Sequence, residues 1–357
     1  MTAPDPDFWR GKRVFLTGHT GFKGAWASLL LSALGARVTG FSLAPEAPET
    51  LFELANCGDA IDSHIGDIRV AAGLGEALRN AAPDIVVHMA AQALVRKSYA
   101  DPVETWQTNV DGTLNLLEGL RALKTPPIVL IVTSDKVYRN DETGRAFTEA
   151  DPLGGHDPYS ASKAACEILV SSWRECFAED LGIRLATARA GNVIGGGDFS
   201  ADRIVPDIWR AARDNQPLRL RNPGATRPWQ HVLDCLNGYL LYIEALAASS
   251  TVPAALNFGP SDPNGRTVRE IAEDILEAIH PGSNWVQDSA EGPREMSKLT
   301  LDTTQARALL GWRDHLAGDA LSLWTADWYS ACAAGADMAD VTRQQVDLFL
   351  QTAKQSQ

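Results

Sequence analysis

Five side chains in two short stretches carry the groups that proton transfer needs. Tyr159 and Lys163 stand four apart in Tyr159-Ser-Ala-Ser-Lys163, a spacing that puts both on one face of a helix. A phenol of reference pKa near 10 is a poor base at neutral pH; a neighbouring ammonium favours the phenolate and makes it a useful one. Ser134, Asp135 and Lys136 follow the apolar run Ile128-Val-Leu-Ile-Val-Thr133. A hydroxyl, a carboxylate and an amine therefore arrive together at the carboxyl end of a strand, where open parallel sheets bind their ligands.

A third stretch, Gly18-His-Thr-Gly21-Phe-Lys-Gly24, has the spacing G-x-x-G-x-x-G directly after the first apolar run. Glycines permit a tight turn and close backbone approach to a pyrophosphate, and a helix opening there supplies free N–H groups. The turn predicts dinucleotide binding by Gly18, Thr20, Gly21, Phe22, Lys23 and Gly24. Two later strand ends are expected to line the same site. Asp67, followed by Ile68, offers a carboxylate to an adenine amino group, and the small residues of Ala90-Ala91-Gln92 let a cofactor lie close to the backbone. Asn109 and the Tyr159–Lys163 pair are assigned to this cofactor site as well. The acidic residue expected about 20 positions after the glycines, on the ribose hydroxyl, is missing: the second apolar run ends Phe41-Ser42-Leu43, and Glu46 lies beyond Pro45. This position therefore leaves NAD and NADP both open.

The elements that must hold these residues are legible. Strands are expected at residues 13–18, 37–43, 63–68, 84–90, 127–134 and 184–190, with helices at 22–34, through 82, at 102–123 and at 158–181. Near-continuous apolar strands alternating with helices mean a parallel sheet covered on both faces. Beyond about residue 195 strands become sparse, with helices expected at 204–213, 234–247 and 268–279 and one short strand at 255–258. The expected fold is α/β: a doubly wound, Rossmann-type parallel sheet with a smaller, mostly helical C-terminal lobe. Residues 1–192 form the dinucleotide half, and residues 193–357 mainly the substrate half, with parts returning to the main sheet.

Composition narrows the function. Of 357 residues 45% are hydrophobic and 22% charged, ordinary for a globular enzyme. With 32 basic and 45 acidic residues the net charge is −13, which disfavours nucleic acid and anionic membranes as partners. An anionic ligand then needs a pocket that gathers local cations. Cys57, Cys166, Cys176, Cys235 and Cys332 are odd in number and scattered, so reduced, mostly buried thiols are expected, with neither disulfides nor a metal site. No signal-like or membrane-spanning run is seen, and a cytoplasmic protein is expected.

Together these residues resemble the extended short-chain dehydrogenase/reductase family over nearly the whole chain. Within it, Thr17–Gly24, Ala90–Arg96, Thr133–Tyr138, Gly155–Ser160, Ala190-Gly-Asn-Val-Ile-Gly-Gly-Gly-Asp198 and Arg227-Pro-Trp-Gln-His-Val232 are similar to the CDP-glucose 4,6-dehydratases. The resemblance implies a lyase that converts CDP-D-glucose to CDP-4-dehydro-6-deoxy-D-glucose, with NAD retained, supplying dideoxyhexose synthesis for O-antigen and lipopolysaccharide. Tyr159, assisted by Lys163, would take the proton of the sugar 4-hydroxyl, with Ser134 on the same oxygen. Asp135 would be the acid for the leaving 6-hydroxyl. Lys136 stands where the dTDP-glucose enzymes carry a glutamate that removes the C5 proton. It either serves as that base, which requires a neutral amine well below its reference pKa of about 10.4, or only orients Asp135 or stabilises the enolate. Guanidinium forks suit diphosphate oxygens, so Arg96, Arg203 and Arg227 are expected on the nucleotide sugar, with Asn192 and His231 as further contacts. A two-fold bundle of helices 102–123 and 158–181 is implied, giving a homodimer or homotetramer. A dehydratase of another NDP-hexose, or a 4-epimerase, remains the alternative; an epimerase has no use for the Asp135–Lys136 pair.

Overall fold

The computed structural model describes residues 3–45, 49–262, 265–288 and 299–355; Glu46 lies outside them. Seven parallel strands form one sheet in the order β7-β6-β5-β4-β1-β2-β3. They are β1 (Arg13–Thr17), β2 (Arg37–Ser42), β3 (Asp62–Ile65), β4 (Ile85–His88), β5 (Ile128–Val132), β6 (Arg184–Ala190) and β7 (Ala255–Phe258). Alternation along the strands sorts side chains into two cores. Val14, Leu16, Leu130 and Val132 pack with Trp26, Leu30 and Tyr242 on one face, and Phe15, Val129 and Ile131 pack with Leu74, Leu116 and Val170 on the other. Burial on both faces is why these strands read as continuous apolar runs.

The first face is covered by α1 (Phe22–Ala33). The second is covered by α2 (Ala71–Ala81), α3 (Pro102–Leu120) and α4 (Pro158–Leu181). Both long helices contain a wide turn, at Gln107–Asp111 in α3 and at Arg174–Ala178 in α4. Asp157 and Ser160 form a reciprocal cap at the start of α4, with Pro158 in its first turn; this fixes where Tyr159 begins the helix.

After β6 the chain builds the lobe from α5 (Ile204–Arg213), α6 (Val232–Ala248), α7 (Val268–Ile279), α8 (Thr304–Leu310) and α9 (Asp319–Ala333). α6 packs on the first face of the sheet, and β7 adds to the sheet edge beside β6, Leu256 opposite Ala188. The last helix, α10 (Met338–Gln355), also returns to pack on α1. Cys57, Cys166 and Cys235 are buried; Cys176 is exposed and Cys332 half-buried, all as free thiols. Among the described residues, no helix is long and apolar enough to cross a membrane.

Candidate active site

The sheet order reverses between β1 and β4, and there the chain leaves the two strands in opposite directions, opening a crevice at their carboxyl ends. The glycine turn follows β1. Gly18 takes φ +80°, and a Cβ on it would lie 2.7 Å from the Ala90 nitrogen; a Cβ on Gly24 would lie 2.0 Å from the Gly18 oxygen. No other residue fits either position. Gly21 begins α1 without a side-chain cap, so the first N–H groups of that helix stay open to an anion. The Thr20 hydroxyl donates to the Leu43 carbonyl at 2.9 Å and pairs with Ser42, tying the turn to the end of β2.

The crevice widens into a cavity of about 1200 Å³ between sheet and lobe, beyond the roughly 300–1,000 Å³ of a single small-molecule site and suited to two ligands end to end. Its walls include Gly18, Thr20, Gly21, Phe22, Lys23, Gly24, Asp67, Ile68, Ala90, Ala91, Gln92, Arg96, Ser134, Asp135, Lys136, Tyr159, Lys163, Asn192, Arg203 and Arg227. Lys23 also reaches the Tyr239 hydroxyl at 3.4 Å, across from α6. Asp67 is gripped by Arg69, whose Nη2 donates to its Oδ2 at 2.6 Å; that bond holds the carboxyl below its usual range.

Around the catalytic candidates the geometry is tight. Tyr159 is buried along one wall and Lys163 Nζ donates to the Val132 carbonyl at 3.2 Å, anchoring the amine at the end of β5. Asp135 is 1% exposed, and its two oxygens differ. Oδ1 accepts from the Ser134 hydroxyl at 3.0 Å and from Lys136 Nζ at 3.2 Å; Oδ2 is buried with no hydrogen-bond partner. Asn192 Oδ1 and Arg96 Nε are likewise buried and unpartnered in the cavity wall. Such orphans cost about 1–3 kcal/mol each unless a ligand or water meets them. Arg96 bridges the mouth of the cleft to Asp202 at 3.4 Å, and Arg203 pairs with Asp198 at 3.1 Å. Arg227 Nη1 donates to the Thr226 carbonyl at 2.9 Å. The cavity lining thus balances bases against acids in a chain whose whole is acidic.

Two expected contacts stand elsewhere. Asn109 does not face the cavity: its amide donates to the Gln92 carbonyl and to Ser162 and accepts from the Gln92 nitrogen at 2.8 Å. The wide turn of α3 carries it onto the loop after β4, so it shapes the cofactor wall from behind. His231 is also fully buried, away from the cleft. Its Nδ1 accepts the Leu233 N–H at the start of α6 and its ring lies edge-on to Trp324, beside a smaller separate pocket. The strand pairing of Gln230–His231 with Val193–Ile194 turns it there.

Sequence reasoning missed two buried charges. Glu167 and Arg189 form an ion pair at 2.7 Å, 3% and 6% exposed. The signals were present: Glu167 lies four residues beyond Lys163, and Arg189 interrupts the buried strand Arg184–Ala190. Also missed was His88. Thr17 Oγ1 accepts the Met89 and Ala90 N–H groups, so its own proton goes to His88 Nδ1 at 2.7 Å; Nε2–H then donates to Thr113 at 3.1 Å. The imidazole is held neutral, pushed down to about 3 by burial and by the charge of Lys163.

Fold and site together define the epimerase/dehydratase class of Rossmann-type proteins. The model of the GDP-mannose 4,6 dehydratase family matches residues 15–321, and the chain belongs to that family. It is 41% identical over 353 residues to a CDP-glucose 4,6-dehydratase of Salmonella typhimurium, covering 97% of this chain and 98% of that one. A dTDP-glucose 4,6-dehydratase of Xanthomonas campestris is 29% identical, covering 88% and 92%. Among solved structures, the Thermus thermophilus UDP-glucose 4-epimerase complex with NAD superposes with a TM-score of 0.76 at 26% identity, covering 88% of this chain and 98% of that one.

Proposed function

We infer that the protein is a nucleotide-sugar 4,6-dehydratase, a lyase that converts CDP-D-glucose to CDP-4-dehydro-6-deoxy-D-glucose and water. Full-length likeness to the Salmonella enzyme supports the substrate. The observation that carries the elimination is Asp135, a residue of the cavity wall with one oxygen anchored by Ser134 and Lys136 and the other buried without a hydrogen-bond partner. Redox chemistry alone, as in an epimerase, leaves that arrangement without a task.

The cofactor is NAD. The glycine cradle fits a pyrophosphate, since only hydrogen at positions 18 and 24 leaves the backbone accessible, and Asp67, Ile68 and Ala90–Gln92 line the remainder of its groove. When bound, NAD supplies a hydride acceptor for sugar C4 and a donor for C6. Tyr159 takes the 4-hydroxyl proton, with Lys163 one helical turn further on, and Ser134 turns its hydroxyl from Asp135 to hold the same oxygen. The resulting ketone acidifies C5–H. Lys136 removes that proton, Asp135 protonates the departing 6-hydroxyl from its unpartnered oxygen so that water leaves across C5–C6, and Lys136 returns the proton to C5 to complete the 6-deoxy sugar. Arg203 and Arg227 hold the diphosphate, Arg96 swings from Asp202 to join them, and Asn192 meets the phosphate or sugar.

In this reading residues 1–192 handle the cofactor and residues 193–357 mainly the substrate. The enzyme is cytoplasmic and supplies a 6-deoxy-4-keto sugar for O-antigen in lipopolysaccharide biosynthesis. It works as a homodimer or a homotetramer; exposed Val103 and Trp106 on α3 and Ile168 on α4 support a two-fold helix bundle. The deciding experiment is turnover of CDP-, dTDP-, GDP- and UDP-glucose side by side. Loss of one water's mass from CDP-glucose, without net reduction of NAD, is the expected result. Recovery of CDP-galactose alone, or stoichiometric NADH, would overturn it.

A further inference from the structure

Two catalytic groups of different origin must meet at one sugar: the Tyr159–Lys163 pair on α4, and the turn Ser134–Val137 after β5. Among the described residues the catalytic side chains of the two elements make no hydrogen bond to one another; Lys163 reaches the Val132 carbonyl, just before the turn. What joins them lies underneath. Glu167, one helical turn beyond Lys163 and two beyond Tyr159, accepts the Thr133 hydroxyl on Oε1 at 2.5 Å; its Oε2 takes the Thr187 hydroxyl at 2.9 Å and Arg189 Nη2 at 2.7 Å. Arg189 spends its other arm on the far end of the turn, where Nη1 donates to the Tyr138 hydroxyl at 2.9 Å and to the Glu149 carbonyl at 3.1 Å. The Tyr138 hydroxyl in turn donates to Asn257 Oδ1 on β7 at 2.7 Å, and the Asn257 amide donates to the Phe147 and Asp302 carbonyls.

We propose that the Glu167–Arg189 pair, with Thr133 and Tyr138, is a positioning clamp that sets the distance between the redox groups on α4 and the elimination groups Asp135 and Lys136. The turn is held at the residue before it and the residue after it, and both ends run to the same helix. Thr133, Tyr138, Glu167, Arg189 and Asn257 are all buried, and none of them except Thr133 lines the cavity. Their hydrogen bonds are made to one another, to the side chains of Thr187 and Glu149, and to backbone. An apolar core would fill this space as well; a forked cation does what apolar groups cannot, fixing two strand ends and a helix in one plane of donors. The clamp rests on the dehydratase reading, because only a reaction with two separate stages needs both sets in register.

The Tyr138 end lies beyond Lys136, where Val137 and Arg139 also bond the backbone of Gly154 and Pro152, so loosening the hydroxyl should shift Asp135 and Lys136 more than Ser134 and the Tyr159–Lys163 pair. Tyr138→Phe removes only a hydroxyl. Arg189→Lys keeps the charge opposite Glu167 but replaces a two-armed donor with a single point, which cannot reach Glu167 and Tyr138 together. In single turnover with CDP-glucose, both variants should oxidise C4 within about threefold of wild type, read as bound reduced nicotinamide. Release of the 4-keto-6-deoxy product should fall at least about tenfold, so reduced cofactor accumulates on the enzyme; tenfold corresponds to roughly 1.4 kcal/mol. C5–H exchange with deuterated solvent should slow in parallel with product release. Equal loss of oxidation and product in Tyr138→Phe, or product release at the wild-type rate, would overturn the clamp. A wild-type enzyme that dehydrates none of the four sugars would instead sink the functional reading, and the clamp with it.

Discussion

Asp135 illustrates how a single side chain can be committed and available at once. Ser134 and Lys136 fix Oδ1, which sets the carboxyl plane, and burial leaves Oδ2 with nothing to do until substrate arrives. Asp135→Asn preserves the shape and removes the transferable proton. C4 oxidation should persist, elimination should stall, and enzyme-bound reduced nicotinamide should accumulate; product at the wild-type rate would remove Asp135 from the reaction. Lys136→Met should stall at the same stage and also stop C5–H exchange with deuterated solvent, whereas Asp135→Asn should leave that exchange partly intact. Rapid exchange in Lys136→Met would reduce Lys136 to an anchor for Oδ1. Tyr159→Phe acts earlier. It should lower kcat by roughly 10²–10⁴, the range for removal of a general base, while the Kd for NAD changes little, because the ring and the Lys163 anchor on Val132 remain.

At the scale of elements, the site depends on helical positions that permit no side chain beside others that do. Gly24→Ala pushes a methyl to 2.0 Å from the Gly18 carbonyl. The backbone must shift, at a cost of about 1–3 kcal/mol, and the cradle opens. Calorimetric titration should find NAD binding weakened at least about tenfold, and a lowered melting temperature should accompany it. Gly73, in the first turn of α2 with no atom within 4 Å of a Cβ, is the contrasting case: Gly73→Ala should leave NAD binding unchanged and raise stability by roughly 0.5–1 kcal/mol. The wide turn in α3 belongs to the same logic. It releases the Asn109 carbonyl to Thr113 at 2.6 Å and to the Cys166 thiol, and swings the amide onto the loop of Gln92. Wide turns inside helices recur where a side chain must be re-aimed at a functional loop.

The molecule as a whole carries its buried imidazoles as a dependence on pH. Burial pushes His19 down to about 4, and His88 and His231 to about 3, from an ordinary 6.5. The unfolded chain takes up these protons first, so stability is full above about pH 6.5 and declines as pH falls toward the folded values, by up to about 1.4 kcal/mol per pH unit for each histidine. Asp234, raised to about 7 by burial, works in the opposite direction over this window, as do the smaller upward shifts that burial gives Glu149, Asp207 and Glu244, and the large shifts of three histidines set the net slope. Unfolding curves should therefore show falling stability between about pH 6.5 and about pH 5. His231→Asn supplies another good acceptor for the first turn of α6 and removes one titration. It should flatten that slope by about one proton's worth and leave KM for the nucleotide sugar unchanged, since His231 does not line the cleft. An unaltered slope would show that His231 is not among the groups that charge on unfolding.

What the sequence by itself determined is local. The glycine turn, the Tyr159–Lys163 spacing and the strand end at Ser134–Lys136 are each written within a few residues, because a helix face and a strand end are short-range geometry. The parallel sheet was legible from its two-sided apolar strands, and a strand at residues 255–258 from the short apolar run there; that this strand pairs beside Arg184–Ala190 is seen only in the fold. Tertiary structure decided the rest. His231 and Asn109 sit in phrases that resemble ligand-binding ones, yet strand pairing turns the first into the core and a wide helical turn sends the second behind the cofactor wall. Glu167, Arg189 and Tyr138 lie 22 to 51 positions apart in the chain and become one network only when β5, β6 and α4 pack. A charge buried among apolar neighbours announces a partner but not which one; only the packed structure, where an unpaired charge would be too costly to keep, names it.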